Sequence, residues 1–240
     1  MLPVVLLAGG QATRMRPITD NIPKSLIDVN GFPFIYHQLG MLRKKGIDHV
    51  ILCLGYLGEK IEEYVGNGNN FNLKVVCYYD GKKLLGTGGA LKNILDKLPD
   101  TFFVLYGDSY LDIDYKNIEE AYFSSKKKAL MTVFRNNNQW DTSNVIFIDR
   151  ELVKYSKKNK SNKMNYIDYG LGVLKKSAFD FFDEMESFDL SDIYERLSDE
   201  RELFGYEVFE RFYEIGSYSG LSDLRLKLKI DGENEEGSLS

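Results

Sequence analysis

The sequence predicts an α/β fold whose mixed, mainly parallel central sheet is flanked by helices. Three observations carry this. Short, uniformly apolar runs alternate with helical periods through the first half. A glycine-rich, basic loop directly follows the first apolar run. After residue 128 the texture becomes richer in strands, which predicts a smaller β-rich extension.

The strand expectations of the first half are Val4 to Leu7, His49 to Leu54, Leu73 to Tyr79 and Phe102 to Tyr106. Each is too short and too evenly apolar for an exposed amphipathic helix and suits a buried central strand. Between them, Ile35, Leu39 and Leu42 repeat at helical spacing, as do Leu57, Ile61 and Tyr64, and Leu91, Ile94, Leu95 and Leu98. Pro33 marks the start of the first of these helices, and Gly46 follows its basic last turn. In the second half, strands are expected at Ala129 to Arg135, Asn144 to Ile148, Leu152 to Tyr155 and Tyr166 to Leu174. Leu190 to Leu197 and Leu221 to Leu228 read as helices on either side of a strand-like Phe204 to Ile215.

At 240 residues the chain suits one domain over 1–230, with halves at 1–125 and 126–230. Lys154 to Lys163 reads as a solvated loop, and the acidic tail 231–240 has nothing to bury and is expected to be disordered.

Lys and Arg number 31 against 36 Asp and Glu, a net charge of -5, so no basic face for nucleic acid is implied. The apolar opening Met1 to Ala8 is broken by glycines long before a membrane-spanning length and lacks a basic leader. No membrane partner is expected. The two cysteines, Cys53 and Cys77, fall in β-type runs and form neither a metal cluster nor a disulfide framework, which suits a reducing cytoplasm. His37 and His49 have no metal or nucleophile partner nearby in sequence and read as structural.

The strongest functional signal is Leu7-Ala8-Gly9-Gly10-Gln11-Ala12-Thr13-Arg14-Met15-Arg16-Pro17, followed by Pro23-Lys24-Ser25-Leu26. Open α/β sheets bind ligands beyond the carboxyl ends of their strands, where small residues let backbone N–H groups approach phosphate oxygens. Gly9 and Gly10 stand there. Arg14 adds a planar fork and Lys24 a compact ammonium, charges suited to gripping a polyphosphate. Neither a GxxxxGK[ST] loop nor a GxGxxG turn is present, which disfavours a P-loop kinase or a dehydrogenase. The apolar run Phe102 to Tyr106 ends in Gly107-Asp108, placing a carboxylate at the same sheet edge. Asp108 is the candidate ligand for Mg²⁺, which favours one or two carboxylates plus substrate phosphate oxygens.

These segments resemble the signature of the sugar-1-phosphate nucleotidylyltransferases, LAGGxGTRLxPLT followed by PKxLxxVxxKP. Ala12 replaces a customary Gly and Phe32 a customary Lys. Leu85-Gly86-Thr87-Gly88-Gly89-Ala90 is similar to the family's GTGGA segment, which lies against the nucleotide; the approach Lys82-Lys83-Leu84 lacks the Glu common there. Phe212-Tyr213-Glu214-Ile215-Gly216 resembles WxDxG, making Glu214 the candidate second metal ligand. Tyr155 to Asn159 and Asp168-Tyr169-Gly170 resemble FxEKP and NxG.

The resemblance implies a Rossmann-like nucleotide-diphospho-sugar transferase fold, with a nucleotide-binding half and then a sugar-phosphate-binding half. Arg14, Lys24 and Asp108 would be catalytic, with Leu7, Ala8, Gly9, Gly10, Thr13, Gly86 and Thr87 on the nucleotide. Gly107, Lys158, Asp168 and Gly170 would hold the sugar phosphate, Lys158 gripping its phosphate and Asp168 its hydroxyls. The implied reaction joins a nucleoside triphosphate to a sugar 1-phosphate with release of pyrophosphate. The short form resembles heptose and mannose 1-phosphate guanylyltransferases most, and it is compatible with a homo-oligomer. Cytidylyl, uridylyl or thymidylyl transfer to another phosphate, and a non-catalytic NDP-sugar-binding homologue, remain open. A molybdopterin nucleotidyltransferase, which reaches its lysine sooner, is disfavoured by the later Pro23-Lys24.

Overall fold

The computed structural model describes residues 1–80, 85–136, 139–140, 142–182 and 187–237, the side chains of 233–237 excepted. Lys82-Lys83-Leu84 and residues 238–240 therefore lie outside the described residues.

In chain order the elements are β1 (Val4–Ala8), β2 (Asp28–Val29), β3 (Phe32–Pro33), α1 (Phe34–Lys44), β4 (His49–Leu54), α2 (Gly58–Val65) and β5 (Lys74–Tyr79). Then come α3 (Gly86–Asn93), β6 (Thr101–Tyr106), β7 (Ser109–Tyr110), α4 (Tyr115–Ser125), β8 (Ala129–Arg135), β9 (Val145–Ile148) and β10 (Glu151–Tyr155). The chain ends through β11 (Tyr166–Lys175), α5 (Leu190–Asp199), β12 (Leu203–Val208), β13 (Tyr213–Glu214) and α6 (Tyr218–Gly237).

Among the described residues β1, β4 to β6 and β8 to β12 form a nine-stranded sheet. Its parallel core runs β6-β1-β4-β5. These strands are joined by crossovers that place helices on the sheet faces, so they are buried on both sides and read as apolar runs. Beyond β6 the sheet turns antiparallel through β11, which pairs with β8, while β9 and β10 form a hairpin at the edge. This is the β-rich extension that the change of texture after residue 128 predicts. Two apolar layers cover the sheet. One gathers Leu6, Leu39, Leu52, Phe103 and Leu105, the other Val5, Ile51, Leu91, Phe102, Phe179 and Ile193.

Three elements differ from expectation, the first being the strand-like Phe204 to Ile215, which is divided into β12 and β13. Helix α4 stands outside the helices expected above, although its buried Tyr115, Ile118 and Tyr122 recur at i, i+3 and i+7; it is started by Asp114, whose side chain accepts the Asn117 N–H. The acidic tail expected to be disordered instead continues α6 as far as Gly237. Extending a helix already anchored by Leu221 and Leu224 needs no new nucleus, and Glu is a good helix former. No described helix is long and apolar enough to cross a membrane.

The β11–β8 ladder is interrupted between Asp168 and Gly172. There Gly170 takes φ +106° and its N–H donates to Asp168 Oδ1 at 3.0 Å. The bulge turns Asp168 inward, and burial pushes its carboxyl up to about 6, opposed by the Gly170 N–H and by the charge of Lys157. A carboxyl raised above its unfolded value holds its proton more tightly in the fold, so this site loses stability as pH rises from about 4 through about 6. Asp168→Asn, which keeps the Oδ1 acceptor, should therefore stabilise the protein at pH 7.5 by on the order of 1–3 kcal/mol and by much less at pH 4.5. Thermal melts at both pH values check this; an equal effect at both would show that the carboxylate is not strained.

Candidate active site

The carboxyl ends of β6, β1, β4 and β5 open into one cleft of about 290 Å³. Each strand contributes to it: Tyr106-Gly107-Asp108 after β6, Leu7 to Gly10 from β1, Cys53 from β4 and Asp80 after β5. Ala12, Lys24, Ser25, Gly86, Thr87, Ala90 and Asp189 complete the wall.

The close approach of β1 and β6 shapes the floor. Gly107 N–H donates to Leu7 O at 3.0 Å, and a Cβ at Gly107 would lie 2.7 Å from that oxygen and 3.0 Å from Ala8 Cα. Only glycine fits. Gln38, fully buried on α1, pins the following turn by donating to Tyr106 O at 3.3 Å and Ser109 O at 2.8 Å. Ile215 N–H donates to Asp108 O at 3.0 Å, and Glu214 pairs with Ser109 across the β13–β7 ribbon.

Lys24 stands on the one-turn helix Lys24–Leu26 and donates from Nζ to Asp108 Oδ2 at 2.8 Å. Glu214 is close by. A Cβ at Gly216 would lie 2.6 Å from Glu214 Oε2, 3.2 Å from Lys24 Nζ and 3.4 Å from Asp108 Oδ2. The three charged groups thus converge on one point. Glu214 is held by the Gly216 N–H and by the Ser217 hydroxyl at the head of α6.

A second cavity, of about 590 Å³, adjoins the first. Asp108 lines both. Its other walls include Arg14, Gln139, Trp140, Arg211, Phe212, Tyr213, Glu214 and Asp223. The Arg211 guanidinium lies 3.9 Å from the Trp140 ring centroid and 5.0 Å from that of Tyr213, and it pairs with Asp223.

The residues singled out from sequence are distributed as follows. Leu7, Ala8, Gly9, Gly10, Lys24, Gly86, Thr87, Gly107 and Asp108 line the first cleft, while Arg14 and Glu214 line the second. Thr13 is exposed, opens the turn Thr13–Met15 and lies in neither lining. Lys158 is not brought to either cavity; it is 74% exposed and donates to Asp192 Oδ1 at 2.9 Å. Asp168 and Gly170 sit in the β11 bulge beside Tyr106, behind the cavity walls. The glycines of α3 serve mainly as packing: Gly88 and Gly89 N–H groups donate to Phe188 O at 3.0 and 3.1 Å, and a Cβ at Gly88 would meet the Phe188 ring at 2.5 Å.

Sequence reasoning missed Asp80, Asp189, Gln139, Trp140 and Arg211. Asp80 follows a parallel strand as Asp108 does, so the same positional rule points to it. The others come from loops whose place no periodicity reveals.

The Gly107 contact has a measurable consequence. Gly107→Ala must push β1 and β6 apart, costing about 1–3 kcal/mol in urea unfolding. An unchanged midpoint would mean that the strand ends separate freely.

Comparison with known proteins agrees with this geometry. The Nucleotidyl transferase family model matches residues 3–229. The D-glycero-alpha-D-manno-heptose 1-phosphate guanylyltransferase of Campylobacter jejuni is 29% identical over 192 residues, covering 80% of this chain and 84% of that protein. Its namesake from Aneurinibacillus thermoaerophilus is 26% identical over 217 residues, covering 90% and 93%. Among solved structures, HddC from Yersinia pseudotuberculosis complexed with GMP-PN superposes with a TM-score of 0.77 at 25% identity, covering 95% of this chain and 100% of that one. The chain belongs to the nucleotidyl transferase family.

Proposed function

We propose that this protein transfers a guanylyl group from GTP to a heptose or mannose 1-phosphate, releasing pyrophosphate and forming a GDP-sugar. The observation that carries this reading is the position of Asp108 at the junction of two cavities, with Lys24 Nζ 2.8 Å away. The first cleft suits a nucleotide, bounded by a glycine loop for phosphate and an apolar wall for the base. The second suits a sugar, with aromatic rings for its apolar face and carboxylates, a glutamine and serines for its hydroxyls. The guanylyl and heptose or mannose assignments follow the names of the relatives. Cys53 and Cys77 are free thiols, in keeping with the cytoplasmic setting we propose.

The acceptor phosphate is largely dianionic near neutral pH, so no general base is required, and repulsion between two polyanions is the main obstacle. Gly9 and Gly10 present backbone amides to the triphosphate. Lys24 leaves Asp108 to neutralise charge developing around the α-phosphate, and Arg14 reaches it from the second cavity. Together they hold the attacking oxygen and the pyrophosphate leaving group in line. Asp108 and Glu214 fit Mg²⁺, being two converging carboxylates with substrate phosphates to complete the shell; the ion, when bound, offsets phosphate charge. Lys158 would grip the acceptor phosphate only after exchanging Asp192, whereas Arg211 faces the second cavity already.

Pyrophosphate release from GTP and a panel of hexose and heptose 1-phosphates tests the reading. Release should require both substrates; GTP binding without release across the panel would instead indicate a non-catalytic homologue. Lys24→Ala should lower turnover about 100-fold or more, on the scale of a lost oxyanion donor. Near-normal turnover in that variant would remove Lys24 from the mechanism.

A further inference from the structure

The second cavity contains an ion pair that phosphoryl transfer does not need. Arg211, just before β13, donates from Nη2 to Asp223 Oδ2 on α6, and both side chains line the cavity while staying partly exposed. The guanidinium rests against the rings of Trp140 and Tyr213, and its Nε is buried. What it offers the cavity is therefore its Nη edge, with the Asp223 carboxylate beside it. The ring that braces it is itself fixed: Trp140 N–H donates to Oδ1 of the fully buried Asn136 at 3.1 Å, and Gln139 N–H to Asn136 O at 3.0 Å.

The pair stands at a useful distance from the reacting groups. The Glu214 carboxylate abuts Gly220, and Asp223 follows three residues later on α6, a rise of about 4.5 Å along the helix. That displacement is comparable to the width of one sugar ring. Charge then decides what the pair can take. Asp223 already balances Arg211, and Asp108 and Glu214 line the same cavity, so a phosphate arriving at the pair would have to displace one carboxylate while facing two more. Two adjacent hydroxyls displace nothing: one donates to Asp223 Oδ1 and the other accepts an Arg211 N–H, and among the described residues neither group has another hydrogen-bond partner.

We infer that Arg211 and Asp223 together select the acceptor by binding two vicinal hydroxyls, the 3- and 4-hydroxyls, on the side of its ring away from the phosphate. An acceptor lacking one of them leaves a donor or an acceptor of the pair unmatched, which a site built to bind hydroxyls penalises sharply. The pair determines specificity and has no part in the phosphoryl chemistry. Trp140 is a positioning residue that keeps the guanidinium edge turned to the cavity. This inference rests on the reading of the second cavity as the acceptor site and names the groups that choose the acceptor there.

Steady-state pyrophosphate release by the full chain tests it, comparing the accepted 1-phosphate, mannose or manno-heptose, with its 4-deoxy analogue. Wild type should use the analogue about 10- to 100-fold less well in kcat/KM, with the loss carried by KM. Asp223→Ala should lose a similar factor on the parent sugar and little more on the analogue. An analogue used as well as its parent, or an Asp223→Ala variant that discriminates as strongly as wild type, would overturn the role of the pair alone. A second measurement needs no variant. Trp140 is the chain's one tryptophan and touches Arg211, so its emission should change when the sugar 1-phosphate is added beside unreactive α,β-methylene GTP, and not when inorganic phosphate is added. An equal change with inorganic phosphate would make the pair an anion site and overturn its role as a reader of hydroxyls. No turnover with any hexose or heptose 1-phosphate would overturn the acceptor reading itself, and this inference with it.

Discussion

Everything in the site depends on how closely β1 and β6 approach at their carboxyl ends. The ladder runs in register from Val4 opposite Phe103 to Leu7 opposite Tyr106, and Gly107 then donates to Leu7 O at 3.0 Å. That one hydrogen bond positions the glycine loop leaving β1 and the carboxylate leaving β6 in a single step. Because parallel strands all deliver their carboxyl ends to the same edge, the glycine loop, Asp108, Cys53 and Asp80 arrive there together although they are far apart in sequence. The buried Gln38 reinforces the arrangement by tying α1 to the backbone on both sides of Gly107-Asp108. One of its own atoms, Oε1, has no partner among the described residues. A buried acceptor left unpaired costs free energy, so the tie to the turn is retained against that cost.

Much of this architecture is legible in the residues. The parallel strands announce themselves because burial on both faces demands uninterrupted apolar runs, and Val4–Ala8, His49–Leu54 and Thr101–Tyr106 lie within a residue of expectation. Lys24 and Asp108 could be named because each follows a recognisable strand or loop. Helix α4 was legible too, since Asp114 caps it and Tyr115, Ile118 and Tyr122 follow at i, i+3 and i+7 spacing, although three aromatic or β-branched residues also suit a strand. The end of α6 was misread because composition describes what a segment can bury and not whether a neighbouring helix already supplies its nucleus. Lys158 shows the limit of motif spacing: the loop after β10 carries a lysine in the expected place, but Asp192 at the head of α5 draws it away from both cavities. Trp140 and Arg211 belong to segments that meet only in the folded chain, so no local pattern could pair them.

The charges around the two cavities pose a problem that explains the division of labour. Their described linings carry three basic side chains, Arg14, Lys24 and Arg211, against five carboxylates, Asp80, Asp108, Asp189, Glu214 and Asp223. Such a surface would repel a triphosphate and a sugar phosphate alike unless the carboxylates have other work. Asp189 is engaged in capping α5, Asp223 balances Arg211, and Asp80 abuts Gly9. That leaves Asp108 and Glu214 near the point where the polyanions meet, with Lys24 neutralising one of them at 2.8 Å. Two carboxylates against the ammonium of Lys24 and the guanidinium of Arg14 leave no net positive charge to offset two polyanions. Asp108 and Glu214 would hold a divalent cation, whose charge would offset that of the phosphates and of the two carboxylates.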